Sequence, residues 1–237
     1  MLSSLFRGGF STSALVELLL LIPIILFSLS AHEFAHGYTA FKLGDETARN
    51  YGRLTLNPLK HIDPLGFLML LFAGFGWAKP VPVSTRHMKN SRWGFVLVSL
   101  AGPFTNLVIA TVSAFLYFSS IVVQYHLVAN GFDGKQILTI CSLVQSFFAL
   151  SVSLNVGYAV FNMIPIPPLD GSRLLTACMP RKAAIWFFKY EHIIQLVLFA
   201  LIILDVLNGP ISYAIRFVIG LIESFVGLFP FEFFLPR

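Results

Sequence analysis

Apolar residues run through this chain in long blocks, not in the alternating or three-and-four spacing of half-buried elements. Five blocks are long enough for a helix that crosses a hydrocarbon core of about 30 Å: Ala14 to Phe41, Trp93 to Gln124, Ile137 to Ile164, Ala183 to Leu207 and Ile211 to Phe229. A sixth, Pro64 to Trp77, would make only about 21 Å of helix, and Gly66, Gly74 and Gly76 weaken even that. It reads as a re-entrant segment or a bent hairpin. The expectation is an all-α polytopic membrane protein, a bundle of about five to six transmembrane helices with one re-entrant or hairpin piece. It forms a single membrane-embedded domain over residues 1–237, with a core at 14–175 and C-terminal helices at 183–229. The first block, with Arg7 ahead of it, has the outline of a signal peptide. It runs straight on into histidines without a separate cleavage region, so it is read as a mature span.

Composition agrees: 57% of the residues are hydrophobic, 11% are charged, and mean hydropathy is +0.80, against about 25% charged in an ordinary soluble domain. The net charge of +5 does not point to nucleic acid, because no soluble basic domain carries it. It reads as topology, since Lys and Arg collect in cytoplasmic loops. Lys42, Arg49, Arg53 and Lys60 precede the short piece, and Lys79, Arg86, Lys89 and Arg92 follow it, so both its ends face the cytoplasm. Arg173, Arg181, Lys182, Lys189 and Arg237 fall on the same side, against Arg7 and Lys135 outside. Arg216 and Glu223 mark the last block, which has the alternative of lying flat on the membrane surface. Cys141 and Cys178 fall on opposite sides, too far apart to be bridged, and no disulfide framework or cysteine metal site is indicated.

The first block carries ionisable residues where they are expensive, "FSLSAHEFAHGYTA". On a helix, His32 and His36 are i and i+4 and share one face, the spacing that lets two imidazoles hold one zinc ion. Glu33 then stands beside the metal as a general base for water. Catalytic zinc usually takes three protein ligands. Glu17, about 22 Å away on the same helix, is excluded. His61 and His87 lie in loops that could fold back. Asp170 stands in "FNMIPIPPLDGSRLL", where Pro165, Pro167 and Pro168 break the third span at a depth compatible with that of the histidines. A broken helix at membrane depth must be buried or line a wet cavity, so the two motifs predict one cavity.

"HEFAH", "AGPFTN" and "NMIPIPPLDG", in that order, resemble the three marks of the site-2 protease family of intramembrane zinc metalloproteases. The resemblance covers roughly Leu15 to Leu175. "RLTLNPLKHIDPLG" and "GWAKPVPV" are similar to the compact bacterial members without PDZ or CBS domains. The resemblance implies one zinc per chain, held by His32, His36 and Asp170, with Glu33 polarising the attacking water. It implies that Asn106 and Asn162 steady the oxyanion or orient the substrate backbone. It further implies a transmembrane protein as substrate, cleaved within or near its spanning helix in regulated intramembrane proteolysis. The setting it implies is the lipid bilayer of a bacterial inner membrane, with the site open to the cytoplasm.

The residues themselves leave Asn106 a second role, tying helices together. The proline spacing of "WAKPVPVS" suits an edge strand to which an unwound substrate could add, or a plain loop. A zinc transporter without peptidase activity is the competing function. It would need a polar path to the far face, where the spans offer only Glu17 and Asp205, and it has no need of Glu33. A metallopeptidase with a soluble chamber would draw a glutamate ligand from Glu191, Glu223 or Glu232, none of which sits in a convincing polar helix.

Overall fold

The structure is a computed structural model and describes residues 12–73, 79–84, 86, 88, 91–229 and 231. Among them it is helical, with no β-strand. Helix α1 is Thr12–Lys42, α2 the short Thr47–Asn50, α3 Pro64–Ala73, α4 Ser91–Ala129 and α5 Lys135–Asn162. The chain continues with α6 Asp170–Cys178, α7 Arg181–Lys189, α8 Glu191–Ile203 and α9 Asn208–Val226. Four of these, α1, α4, α5 and α9, are long and apolar enough to cross a membrane. Each begins and ends within a few residues of its predicted block, because block length is what hydropathy reads best.

The block expected as one span over 183–207 is a bent pair. Helices α7 and α8 meet at 64° across Tyr190, whose backbone leaves the helical region. Alone, α8 would span about 20 Å, so the two count as a fifth crossing only if taken together. Helix α3, at about 15 Å, is too short to cross, and the rest of the predicted hairpin, 74–77, lies outside the described residues.

Helix α4 is the centre of the bundle and packs against α1, α5, α6 and α9. Its inward stripe is small or polar: Ser99, Gly102, Asn106, Ala110 and Ser113. Helix α5 answers with Ser151, Val152, Asn155, Val156 and Ala159. Large apolar side chains face outward instead, with Phe104 66% exposed, while Asn106 and Asn155 are 0% exposed. This inversion is what a bilayer selects. Lipid tails are as apolar as leucine, so close van der Waals approach and interhelical hydrogen bonds, not water exclusion, join the helices.

Candidate metal centre

Helical spacing stacks His32 and His36 on the buried face of α1, with their Nε2 atoms 3.0 Å apart. Asp170 reaches them from the other side of the bundle. Helix α5 stops at Asn162, the proline run turns the chain back, and α6 opens at Asp170. Asp170 Oδ2 then lies 3.2 Å from each histidine Nε2, and all three side chains are buried. Two glycines make room. A Cβ on Gly102 of α4 would come within 2.5 Å of His32 Cε1 and His36 Nε2. One on Gly171 would come within 2.3 Å of Met163 O, so the turn that delivers Asp170 admits only glycine there.

The protons on the two rings follow from their partners. His36 Nδ1 is 2.6 Å from Val98 O, which can only accept, so Nδ1 carries the hydrogen. For His32 the assignment runs through two asparagines. Asn155 Nδ2 donates to Ser151 O, a fixed acceptor, which turns Asn155 Oδ1 toward Asn106 Nδ2 at 2.9 Å. That in turn aims Asn106 Oδ1 at His32 Nδ1, 2.6 Å away, which must donate. With Nδ1 as the donor, each imidazole in its neutral form points an Nε2 lone pair at the same spot as Asp170 Oδ2, and Oδ2 has no hydrogen-bond partner of its own. Converging lone pairs repel unless a cation lies between them.

Zinc fits this donor set. Two imidazoles and a carboxylate suit a catalytic zinc, and ligands at 2.0–2.1 Å in a tetrahedron are about 3.3 Å apart. The three side chains form the group among the described residues whose ligand atoms lie within 4.8 Å of one another. Asp170 Oδ1 faces Arg173 Nη1 at 4.0 Å, a loose ion pair on the side of the carboxylate away from the histidines.

Of the other predicted residues, Glu33 is half-buried, and its Oε2 accepts a hydrogen bond from Val81 N at 2.8 Å. Asn106 has both polar atoms engaged, one with His32 and one with Asn155, which makes it a support for the His32 ring. Asn162 is half-buried and donates to Tyr158 O within its own helix. No hydrogen bond joins it to the cluster. His61 is buried with Nε2 on Thr55 O and is not a member of the three-residue cluster, and His87 lies outside the described residues. Of the predicted edge segment, Trp77 and Ala78 lie outside the described residues, 79–84 form neither helix nor strand, and the Val81 N–H that an added substrate strand would want is already bound to Glu33.

Asn155 escaped the sequence reading. The signal was present, an amide in an apolar span about two helical turns before Asn162. Nothing in the sequence indicated that it would meet an asparagine on another helix.

The comparison with known proteins agrees with this geometry. Residues 20–204 match the model of Peptidase family M50, and the chain belongs to that family, the site-2 protease family of zinc metallopeptidases. It is 39% identical over 182 residues, 76% of this chain and 79% of the relative, to "Putative zinc metalloprotease YwhC" of Bacillus subtilis strain 168. "Putative zinc metalloprotease Rip2" of Mycolicibacterium smegmatis is 35% identical over 158 residues, 65% of this chain and 54% of that one. Rip2 of Mycobacterium tuberculosis H37Rv is 35% identical over 152 residues, 62% of this chain and 52% of that one. The chain thus spans about half the length of the mycobacterial relatives. No solved structure matches it.

Proposed function

We propose that this zinc metallopeptidase holds one metal ion through His32, His36 and Asp170 and uses Glu33 as its general base on membrane-protein substrates. The convergence of three buried lone pairs beside a glutamate carries the reading. Zinc bound there supplies Lewis acidity, lowering the pKa of water and polarising a carbonyl. The chain's own residues do the rest. Glu33 takes a proton from the attacking water and returns it to the leaving amide nitrogen. Asn106 and Asn155 keep His32 in the tautomer that leaves Nε2 free, the outer support that metal-bound histidines usually need. Asn162, the remaining unassigned amide, is suited to a substrate carbonyl once its bond to Tyr158 O opens.

The substrate is a transmembrane protein cut within or near its spanning helix. Two observations support this: ligands seated among apolar spans, and outward faces that suit lipid. The basic loops around α2 and α3 and the residues after α6 favour a site open to the cytoplasm of a bacterial cell. On that reading α3 enters and leaves the bilayer from the cytoplasmic side, and α7 with α8 makes a fifth crossing.

The test is zinc per chain on detergent-purified protein, with cleavage of a labelled single-span substrate measured alongside. Wild type should hold about one zinc and cut. Glu33→Gln should keep the metal and lose at least about a hundredfold in rate, and Asp170→Ala should lose the metal. A Glu33→Gln variant that cuts like wild type would remove the base assignment; an Asp170→Ala variant with full zinc would remove the third ligand.

A further inference from the structure

The segment 79–84 lies against α1 beside Glu33, and its sequence leaves it one donor at its centre. Pro80 and Pro82 have no N–H, so in "PVP" the Val81 amide is the sole backbone donor, and it goes to Glu33 Oε2. Such a bond orients a carboxylate only if the segment that carries it is itself fixed. It is held along its length. Lys79 N donates to His61 O at 2.8 Å, and Arg53 Nη2 donates to Lys79 O at 2.6 Å and Pro80 O at 3.3 Å. At the far end Ser84 N donates to Asp45 Oδ2 at 2.6 Å. In the middle the Val81 side chain fills the notch at Gly37, where a Cβ would stand 3.1 Å from Val81 Cγ1. Gly37 is one helical turn after Glu33, so side chain and amide of Val81 grip the same stripe of α1.

Arg53 is the unusual member. It is 8% exposed, a buried cation whose guanidinium binds two consecutive carbonyls on the strap. Burying a cation is costly and calls for a function or a firm set of partners. Both carbonyls belong to the residues that precede the Val81 amide, so the guanidinium sets where that N–H points.

The geometry points to Arg53 as a positioning residue for the general base, acting through the Val81 amide, which holds one carboxylate oxygen of Glu33 and leaves the other to take the proton from water. This rests on the peptidase reading. Glutamate has three rotatable bonds, and misplacing a base by about 1 Å can cost on the order of a hundredfold in rate.

The test uses zinc-loaded full-length protein, with two independent readouts. One is kcat and KM on the labelled single-span substrate. The other is hydrogen exchange of the Val81 amide, which is cleanly read because its neighbours are prolines. Arg53→Gln should keep zinc, lower kcat about tenfold or more with KM within about threefold, and speed Val81 exchange about tenfold. Arg53→Lys, which restores one donor, should recover part of both. Should Arg53→Gln fail to fold, Val81→Pro removes the N–H and should lower kcat far more than Val81→Ala, which keeps it. Wild-type kcat in Arg53→Gln, or equal losses in Val81→Pro and Val81→Ala, overturns the inference. Exchange in Glu33→Ala separates the two readings. If the Val81 amide is freed there while wild type cuts nothing, the peptidase reading has failed and the contact stands; if the amide stays protected, the contact itself is wrong.

Discussion

Asn155 determines which way Asn106 faces. The two amides meet between α4 and α5, Nδ2 of Asn106 to Oδ1 of Asn155 at 2.9 Å, and the orientation is anchored one turn back at Ser151 O. Through this pair a backbone carbonyl dictates which nitrogen of His32 carries the proton. Replacing Asn155 with leucine should therefore weaken zinc binding by about 10- to 100-fold, the usual effect of losing outer support to a metal ligand. Chelator competition on the purified protein measures it directly, and unchanged affinity would mean that Asn106 holds its orientation unaided.

Gly102 and Gly157 offer a paired test in the same bundle. A methyl group on Gly102 would lie 2.5 Å from His36 Nε2, while one on Gly157 would find Ile215 Cδ1 at 3.9 Å and nothing nearer. Gly102→Ala should lose most of its zinc. Gly157→Ala should keep it and gain about 0.5–1 kcal/mol from helix propensity, visible as a higher Tm.

Removing the metal should loosen the union of α1 with α6, because three lone pairs then face one another without a cation. Thermal unfolding after chelation should fall and recover on adding zinc, by about 2.7 kcal/mol at a hundredfold excess of free zinc over Kd. Other divalent ions with little liking for imidazole, such as magnesium, should not restore it.

Orientation can be read with thiols. Cys178 is exposed at the end of α6, and Lys135 is exposed at the start of α5. A membrane-impermeant maleimide should reach Cys178 in inside-out vesicles but not in intact spheroplasts. A Lys135→Cys variant with Cys141 and Cys178 replaced by serine should show the reverse, and labelling of both positions from one side would overturn the proposed topology.

Much of this was legible in the sequence, and the exceptions share a cause. The long helices α1, α4, α5 and α9 follow from block length, and the common face of His32 and His36 from helical period. The approach of Asp170 was readable as depth, since the prolines end α5 at the level of the histidines. The bend at Tyr190 was not, for no glycine or proline marks it. Nor was the turn of Asn106: the residues left open an oxyanion donor or a tie between helices, and its bonds run to His32 and Asn155 on neighbouring helices. A sequence states that an amide is present, but which of its ends faces a metal ligand is decided by a partner far away in the chain. The Val81 to Glu33 contact was hidden for the same reason.

The polar chain behind His32 also has a plumbing consequence. It continues from Asn155 to Ser151 and Ser113, whose hydroxyls meet at 2.8 Å, all of them buried. Each member finds its partner in the next, and Ala110, Ala114, Val152 and Val156 of the same two helices form a buried apolar cluster. Behind His32 the proposed site is therefore backed by side chains that satisfy one another, which suits a hydrolase that keeps its zinc in place and gives a transported ion no unpaired group to step to along this line.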